Sequence, residues 1–316
     1  MSLQEWDQIF SSIGHAPTWI TFSGGEPFLR PDLPDLVASA IRHCRPALVN
    51  IATNGWFTDR IVSGVERIAR SAPATQLVVN LSLDHHTPER HDAIRGASGA
   101  YAHLMATHAG LAGLGAANLT VGMHTVISQA NQGEFPAIAQ GIARLGADSF
   151  IAECAEQRVE LRTMELRITP DPKAFERAAA SVLDVDARAR GIVARLARAV
   201  RSEYYGRVAR LLAGDTTAMP PCYAGFLSAQ IGADGEVWPC CVLATPLGRL
   251  REVGLDFGKV WRSPEAEAFR TSARNRRCAC PLANAAYTNL IASPTAAARI
   301  AAAFVRGPSR DRVGTG

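Results

Sequence analysis

Short apolar runs alternate with amphipathic stretches through the first half of the chain, the pattern of parallel βα units. The apolar runs predict strands at 18–22, 48–53, 77–83, 119–127 and 149–153, with helices at about 3–13, 32–44, 58–70, 99–114 and 134–145 between them. Each predicted strand runs into a polar or glycine-rich cluster: SGGEP, TNG, SLDHH, SQANQ and ECAEQ. In parallel α/β architectures chemistry gathers at the C-terminal ends of strands, so these clusters are expected to share one rim. The alternation opens on a helix, and five strands are a poor number for completing a βα barrel, so a first strand is expected to be missing. Farther on, 186–212 reads as one long helix, with Ile192, Leu196, Val200, Tyr204, Val208 and Leu212 at helical spacing. Arg188, Arg190, Arg195, Arg198, Arg201, Arg207 and Arg210 accompany it, either as a solvated basic face or as a dock for an acidic partner. The tail from Gly307 has a disordered composition.

Composition narrows the classes. A chain of 316 residues, 47% hydrophobic, can bury one large core or two smaller ones. A net charge of +4 is too mild to imply nucleic acid. No apolar run is long enough for a bilayer, and MSLQEWDQIF is not a signal peptide, so a cytoplasmic location is expected. Seven cysteines in such a chain argue for metal or redox chemistry over disulfides.

Their placement carries the chemistry. Cys44 and Cys154 stand alone, whereas Cys222, Cys240, Cys241, Cys278 and Cys280 fall in the last third. Between Cys222 and Cys240, Asp234-Gly235 separates two alternating runs, a hairpin signal that returns the chain to where it left. Cys222, Cys240, Cys278 and Cys280 therefore predict a four-thiolate site for a zinc ion or an iron–sulfur cluster. Cys241 competes with Cys240, because adjacent strand residues face opposite ways. Arg274, Arg276 and Arg277 are placed to offset thiolate charge.

In order, these motifs resemble the radical S-adenosylmethionine (SAM) enzymes that carry a C-terminal SPASM or twitch domain, over about residues 3–292. SGGEP at 23–27 is similar to the motif that holds the methionine end of SAM, TNG at 53–55 to the end of the next strand, and SLD…HDAIRG to a later SAM-contacting segment. The usual glycine after SLD is here His85, and the spacing to Arg95 is one residue longer. CYAGFLSAQIGADGEVWPCC followed by CACPLANAAYTNL looks like an auxiliary [4Fe–4S] domain.

The resemblance implies an α/β fold, a partial (β/α)6 TIM-like barrel missing its first strand, with a small C-terminal β-hairpin and helix domain for the cysteine cluster. It divides the chain into a barrel core (1–155), a helical connector (156–217), the auxiliary domain (218–292) and a terminal helix with tail (293–316). It implies that Gly24, Gly25, Glu26, Pro27, Ser82, Asp84 and Arg95 bind SAM, and that Cys222, Cys240, Cys278 and Cys280 bind an auxiliary [4Fe–4S] cluster. The implied activity is an oxidoreductase or maturase that generates a 5′-deoxyadenosyl radical for hydrogen abstraction. It would act on a small-molecule or peptide substrate and draw on an external electron donor. The family's CxxxCxxC loop holds a second [4Fe–4S] cluster, and none of the seven cysteines has that spacing. The chain is accordingly expected to be N-terminally truncated and inactive as written. No separate peptide-recognition domain is evident, which weighs against a ribosomal-peptide maturase. The competing expectation is a non-catalytic scaffold with a structural zinc or iron–sulfur module.

Other residues attract attention. His85, His86 and His91 suggest a metal site that no nearby cysteine completes. Asn131 and Gln132 fit either a SAM ribose contact or a helix cap. Cys154, at a strand end, fits hydrogen transfer or simple burial, and Cys44 fits burial.

Overall fold

The computed structural model describes residues 1–187, 191–275 and 278–306. Five parallel strands form one sheet in the order β1-β2-β3-β4-β5: Trp19–Phe22, Leu48–Thr53, Gln76–Ser82, Leu119–Ile127 and Ser149–Cys154. Helices α1 (Leu3–Ile13), α2 (Leu33–Cys44), α3 (Thr58–Ser71), α4 (Pro88–Arg95), α5 (Ala100–Ala112) and α6 (Phe135–Ala143) precede or connect them. The α/β class and every predicted strand are as the hydrophobic pattern required, to within a residue or so. Helix α1 starts where Ser2 and Glu5 cap each other: the Glu5 N–H donates to Ser2 Oγ (3.1 Å) and the Ser2 N–H to Glu5 Oε2 (2.7 Å).

The two faces of the sheet differ. Val49, Ile51, Leu77, Val79, Leu81, Met123, Ile127 and Ala152 are buried in one core with apolar residues of the helices. Strand alternation then turns Asn50, Asn80, Ser82, His124 and Glu153 to the opposite face. Gly122 keeps that face open to its neighbours: a Cβ there would sit 2.5 Å from both Asn80 Oδ1 and Ser149 Oγ.

Beyond β5 the sequence reading needs correction. The predicted long helix 186–212 contains all of α8 (Ile192–Leu212) but begins too early, since Asp186 is the last residue of a separate helix, α7 (Pro172–Asp186). Gly191, at φ +103°, takes a conformation that L side chains rarely adopt, and Asp186 folds back onto Arg201 of α8 at 2.6 Å. The apolar stripe is real but only half used, since Tyr204 and Val208 are fully buried while Ile192 and Leu196 are exposed. The arginines do not form a free basic face. Arg195 stacks over the Phe304 ring, Arg207 pairs with Glu203, and Arg210 pairs with Asp215. Arg188, Arg190 and the tail from Gly307 lie outside the described residues. Helix α4, between the predicted strand 77–83 and the predicted helix 99–114, starts at Pro88 and stops at Gly96 in the left-handed region.

The C-terminal part contains the hairpin β6 (Gln230–Ile231) and β7 (Glu236–Trp238), with β8 (Gly248–Arg249) antiparallel to β7. Helices α9 (Phe257–Trp261), α10 (Pro264–Asn275), α11 (Ala283–Ala292) and α12 (Pro294–Arg306) follow. A two-pronged Arg251–Glu5 pair (2.7 and 3.0 Å) joins this part to α1. Among the described residues no helix is long and apolar enough to cross a membrane.

Candidate functional site

The polar clusters that end the strands do lie along one sheet edge, because all five strands are parallel and in consecutive order. At the β1 end, Gly24 has φ +133°, and a Cβ on either Gly24 or Gly25 would meet nothing within 4 Å. Bare backbone therefore faces open space there, a surface on which a flat or extended ligand can lie against peptide groups. Glu26 is turned away from that role through its carboxylate. It is buried, and accepts from the N–H groups of Phe28 (3.1 Å) and Asn54 (2.7 Å) and from Thr53 Oγ1 (2.8 Å). Its side chain thus ties the end of β1 to the end of β2, while Pro27 opens a 3₁₀ turn, Pro27–Leu29.

At the β3 end Arg95 is clamped from two sides. Its guanidinium donates to the Ser82 carbonyl (2.9 Å) and pairs with Asp84 (2.9 Å), whose other oxygen accepts from the Val126 N–H (3.1 Å). Asn131 is fully committed within the protein: its amide donates to the carbonyls of Asp84 and Val126, and its oxygen accepts from the Ser128 N–H. Gln132 donates to Gln129 and Asp171 and accepts from the Asp171 N–H. Both therefore hold the β4–α6 loop. The three histidines have separate partners. His85 bonds Glu134 and Thr87, the His91 ring accepts from the Asp84 N–H, and His86 packs on Gly141.

On the polar face His124 had no signal in the strand-end motifs, whereas Glu153 opens the ECAEQ cluster. His124 of β4 and Glu153 of β5 form an ion pair at 3.3 Å, each about one-fifth exposed. Burial disfavours both charges, yet the mutual attraction prevails: His124 is held above its ordinary range and Glu153 below its own. The two share a face because His124 is aligned with Ile151, two residues before Glu153 on β5. Beside them, Tyr287 of α11 has a buried hydroxyl with no partner. Cys154 faces the other way and is buried, which pushes its thiol well up and leaves it inert; Cys44, pushed up to about 11 by burial, is likewise inert.

In the C-terminal part Cys222, Cys240 and Cys278 line a small common pocket with Ala224, Leu243, Phe269 and Ala273. Contact with Cys278, then burial, pushes the Cys222 thiol well up, and Cys278 in turn adjoins Cys280. Cys280 does not line the pocket. It packs with Cys241, Leu282, Ala285 and Val242 in a small apolar cluster, where burial pushes Cys241 up to about 11. Among the described residues no His, Cys, Asp or Glu group is drawn into a closed metal-ligating cage. The donor set nonetheless fits an iron–sulfur group: adjacent soft thiols around an apolar hollow resist ionisation unless a cation compensates them. Asn289 of α11 supports Cys222, accepting from the Tyr223 N–H at 2.8 Å. Of the arginines expected to balance charge, Arg274 lies over the Phe226 ring, and Arg276 and Arg277 are outside the described residues.

Comparison with known proteins follows the same division. The radical SAM superfamily model matches residues 1–141, and that of SPASM, an iron–sulfur cluster-binding domain, matches residues 222–281. The chain is 27% identical over 224 residues to a PqqA peptide cyclase of Ruegeria pomeroyi, covering 69% of this chain and 53% of that protein. It is 29% identical over 243 residues to a PqqA peptide cyclase of Streptomyces rochei (76% and 60%), and 33% identical over 129 residues to the mycofactocin maturase MftC of Mycobacterium ulcerans (41% and 32%). The chain thus spans about half to three-fifths of the length of the peptide cyclases it matches. Among solved structures, anSMEcpe with bound AdoMet and a Kp18Cys peptide aligns with TM-score 0.57 at 14% identity (85% of this chain, 74% of that one). Streptococcus suis SuiB aligns with TM-score 0.58 at 15% identity (86% and 62%). At such identities the likeness is one of fold.

Proposed function

Because the chain belongs to the radical SAM superfamily and carries a SPASM iron–sulfur cluster-binding domain, we propose that the complete protein is a radical SAM maturase that oxidises a peptide. SAM and its reducing cluster would supply hydrogen-atom abstraction; the chain's own residues bind, orient and shield. The open backbone at Gly24-Gly25 receives the methionine end of SAM, and Glu26 keeps that backbone in place from beneath. Arg95, positioned by Ser82 and Asp84, presents a guanidinium edge to a carboxylate. His124 and Glu153, on the same face, line the substrate side. Cys222, Cys240, Cys278 and Cys280 would hold the auxiliary cluster, which when bound would supply a one-electron acceptor, and an external donor would be needed for the reducing cluster.

The observation that carries this reading is the route of the chain between the two sites. Directly after Glu153 on the polar face, the chain crosses to the thiols, where the Val159 N–H donates to the carbonyl of Val242 (3.1 Å), next to Cys241. The polar face and the thiol site are thus joined by a short stretch of chain, which supports their serving one substrate. The PqqA peptide cyclases among the relatives support a peptide substrate, against the expectation that weighed away from a ribosomal-peptide maturase. None of the seven cysteines has the CxxxCxxC spacing.

Iron, zinc and acid-labile sulfide, measured after anaerobic reconstitution with EPR of the reduced protein, test the assignment. About four irons with matching sulfide and no zinc is the expected result for one [4Fe–4S] cluster. One zinc without sulfide would replace the electron-transfer role with a scaffold.

A further inference from the structure

Arg158 has no counterpart in the motifs that led to either site, yet it is the cation that the sheet side of the molecule delivers to the thiols. It sits in the crossing segment, and its neighbour Val159 bonds the residue after Cys241. The backbone around it is closed on itself: the Arg158 N–H donates to Thr163 Oγ1 (2.9 Å), and the Thr163 N–H returns to the Arg158 carbonyl (3.2 Å). Glu160, two residues on, accepts from Gln230 Nε2 at 3.1 Å, which fastens the segment to β6. The guanidinium is held just as firmly, since its Nε and Nη2 bond Glu156 Oε1 at 2.6 and 2.5 Å. Glu156 is almost wholly enclosed and Arg158 is about three-quarters so. The guanidinium lies close enough for its charge to reach Cys240 and Cys241, and Glu156 and Glu160 also reach Cys241.

We propose that Arg158 is a fixed positive charge that raises the reduction potential of the iron–sulfur group at the thiol site, and that Glu156 positions it and moderates its effect. This rests on the reading of Cys222, Cys240, Cys278 and Cys280 as ligands to such a group. Reduction adds one electron, hence one negative charge, to a site already surrounded by thiolates. A cation fixed in a poorly solvated position favours the reduced form, and cluster potentials respond to net charge and solvent exposure in this way. Arg158 is a positioning residue, since it acts through the cluster and touches no substrate. Its place in the chain is functionally apt: the segment leaving the substrate face tunes the acceptor that receives the substrate's electron.

The test is a mediated potentiometric titration of the full-length, anaerobically reconstituted chain, with dithionite as reductant and ferricyanide as oxidant, followed by EPR. Iron and sulfide on the wild type come first. Zinc without sulfide there overturns the cluster reading itself, before any variant is made. With the cluster present, R158Q is expected to lower the reduced-to-oxidised ratio at fixed potential about tenfold, a midpoint about 59 mV lower for a one-electron couple. R158K retains the charge and stays near wild type, and E156Q shifts the midpoint upward. A merely structural arginine would change cluster content without this pattern of opposite shifts. A fully loaded R158Q at the wild-type midpoint overturns the proposal. If R158Q fails to load, E156Q decides: an upward shift supports it and an unchanged midpoint overturns it.

Discussion

His124 and Glu153 meet at 3.3 Å across β4 and β5, an ion pair on a sheet face that in most parallel sheets is covered with aliphatic side chains. The pair sets a pH window. His124 is held above its ordinary value, so its contribution is complete below the unfolded imidazole pKa and is lost as pH rises through the folded one. Glu153 is held below its ordinary value, so its contribution is present above the unfolded carboxyl pKa and is lost as pH falls through the folded one. Stability conferred by the pair is therefore greatest between the carboxylate and imidazole ranges. E153Q should remove it, costing about 1–3 kcal/mol at neutral pH and flattening the pH dependence of the urea midpoint. A variant with the wild-type profile would mean the pair contributes nothing to folding.

Much of the fold was legible because the outward sheet face obeys a simple rule: Val49, Ile51, Leu77, Val79 and Leu81 recur at period two and are all buried. The rim was legible for a different reason, since glycines and polar residues cluster where each strand stops. The His124–Glu153 pair was not, because His124 lies inside an apolar strand and acquires meaning only when the sheet brings it beside Glu153 of the ECAEQ cluster. Arg158 and Asn289 were hidden similarly, each far in sequence from the cysteine it supports. The break between α7 and α8 is not legible because the apolar stripe begins only at Ile192, so nothing in it marks Gly191, at φ +103°, as the start of α8.

Gly122 is required by sterics on the polar face. A methyl group at that position would approach Asn80 Oδ1 and Ser149 Oγ to 2.5 Å and displace the Asn80–Asn50 hydrogen bond (2.8 Å). G122A is expected to destabilise by about 1–3 kcal/mol, read as a lower urea midpoint with unchanged slope. Unaltered stability would show that Asn80 can swing away at no cost.

Tyr205 secures the last strand. Its hydroxyl donates to the Ala152 carbonyl (2.9 Å) and accepts from the Ala152 N–H (3.3 Å), so one side chain of α8 satisfies backbone groups of β5. Y205F leaves two buried backbone groups unpaired and should cost about 1–3 kcal/mol. Hydrogen exchange at the Ala152 amide gives the local readout: faster exchange in the variant, with β2 and β3 amides unchanged, is the expected pattern.

The adjacent Cys240 and Cys241 offer the sharpest discrimination. Cys240 lines the pocket with Cys222 and Cys278, whereas Cys241 packs with Leu282 and Ala285. C240A should therefore lose most of the iron and sulfide retained after reconstitution, as should C222A and C278A. C241A removes a small buried side chain from an apolar cluster, so it should keep its iron while losing about 1 kcal/mol of stability. Cys280 tests the reach of the site, because it adjoins Cys278 yet packs with Cys241. If C280A depletes the cluster as fully as C278A, four thiols close on it; if C280A retains the iron, three thiols hold the cluster and its fourth iron is open to another ligand. Equal iron in C240A and C241A would remove the geometric distinction on which the ligand assignment stands.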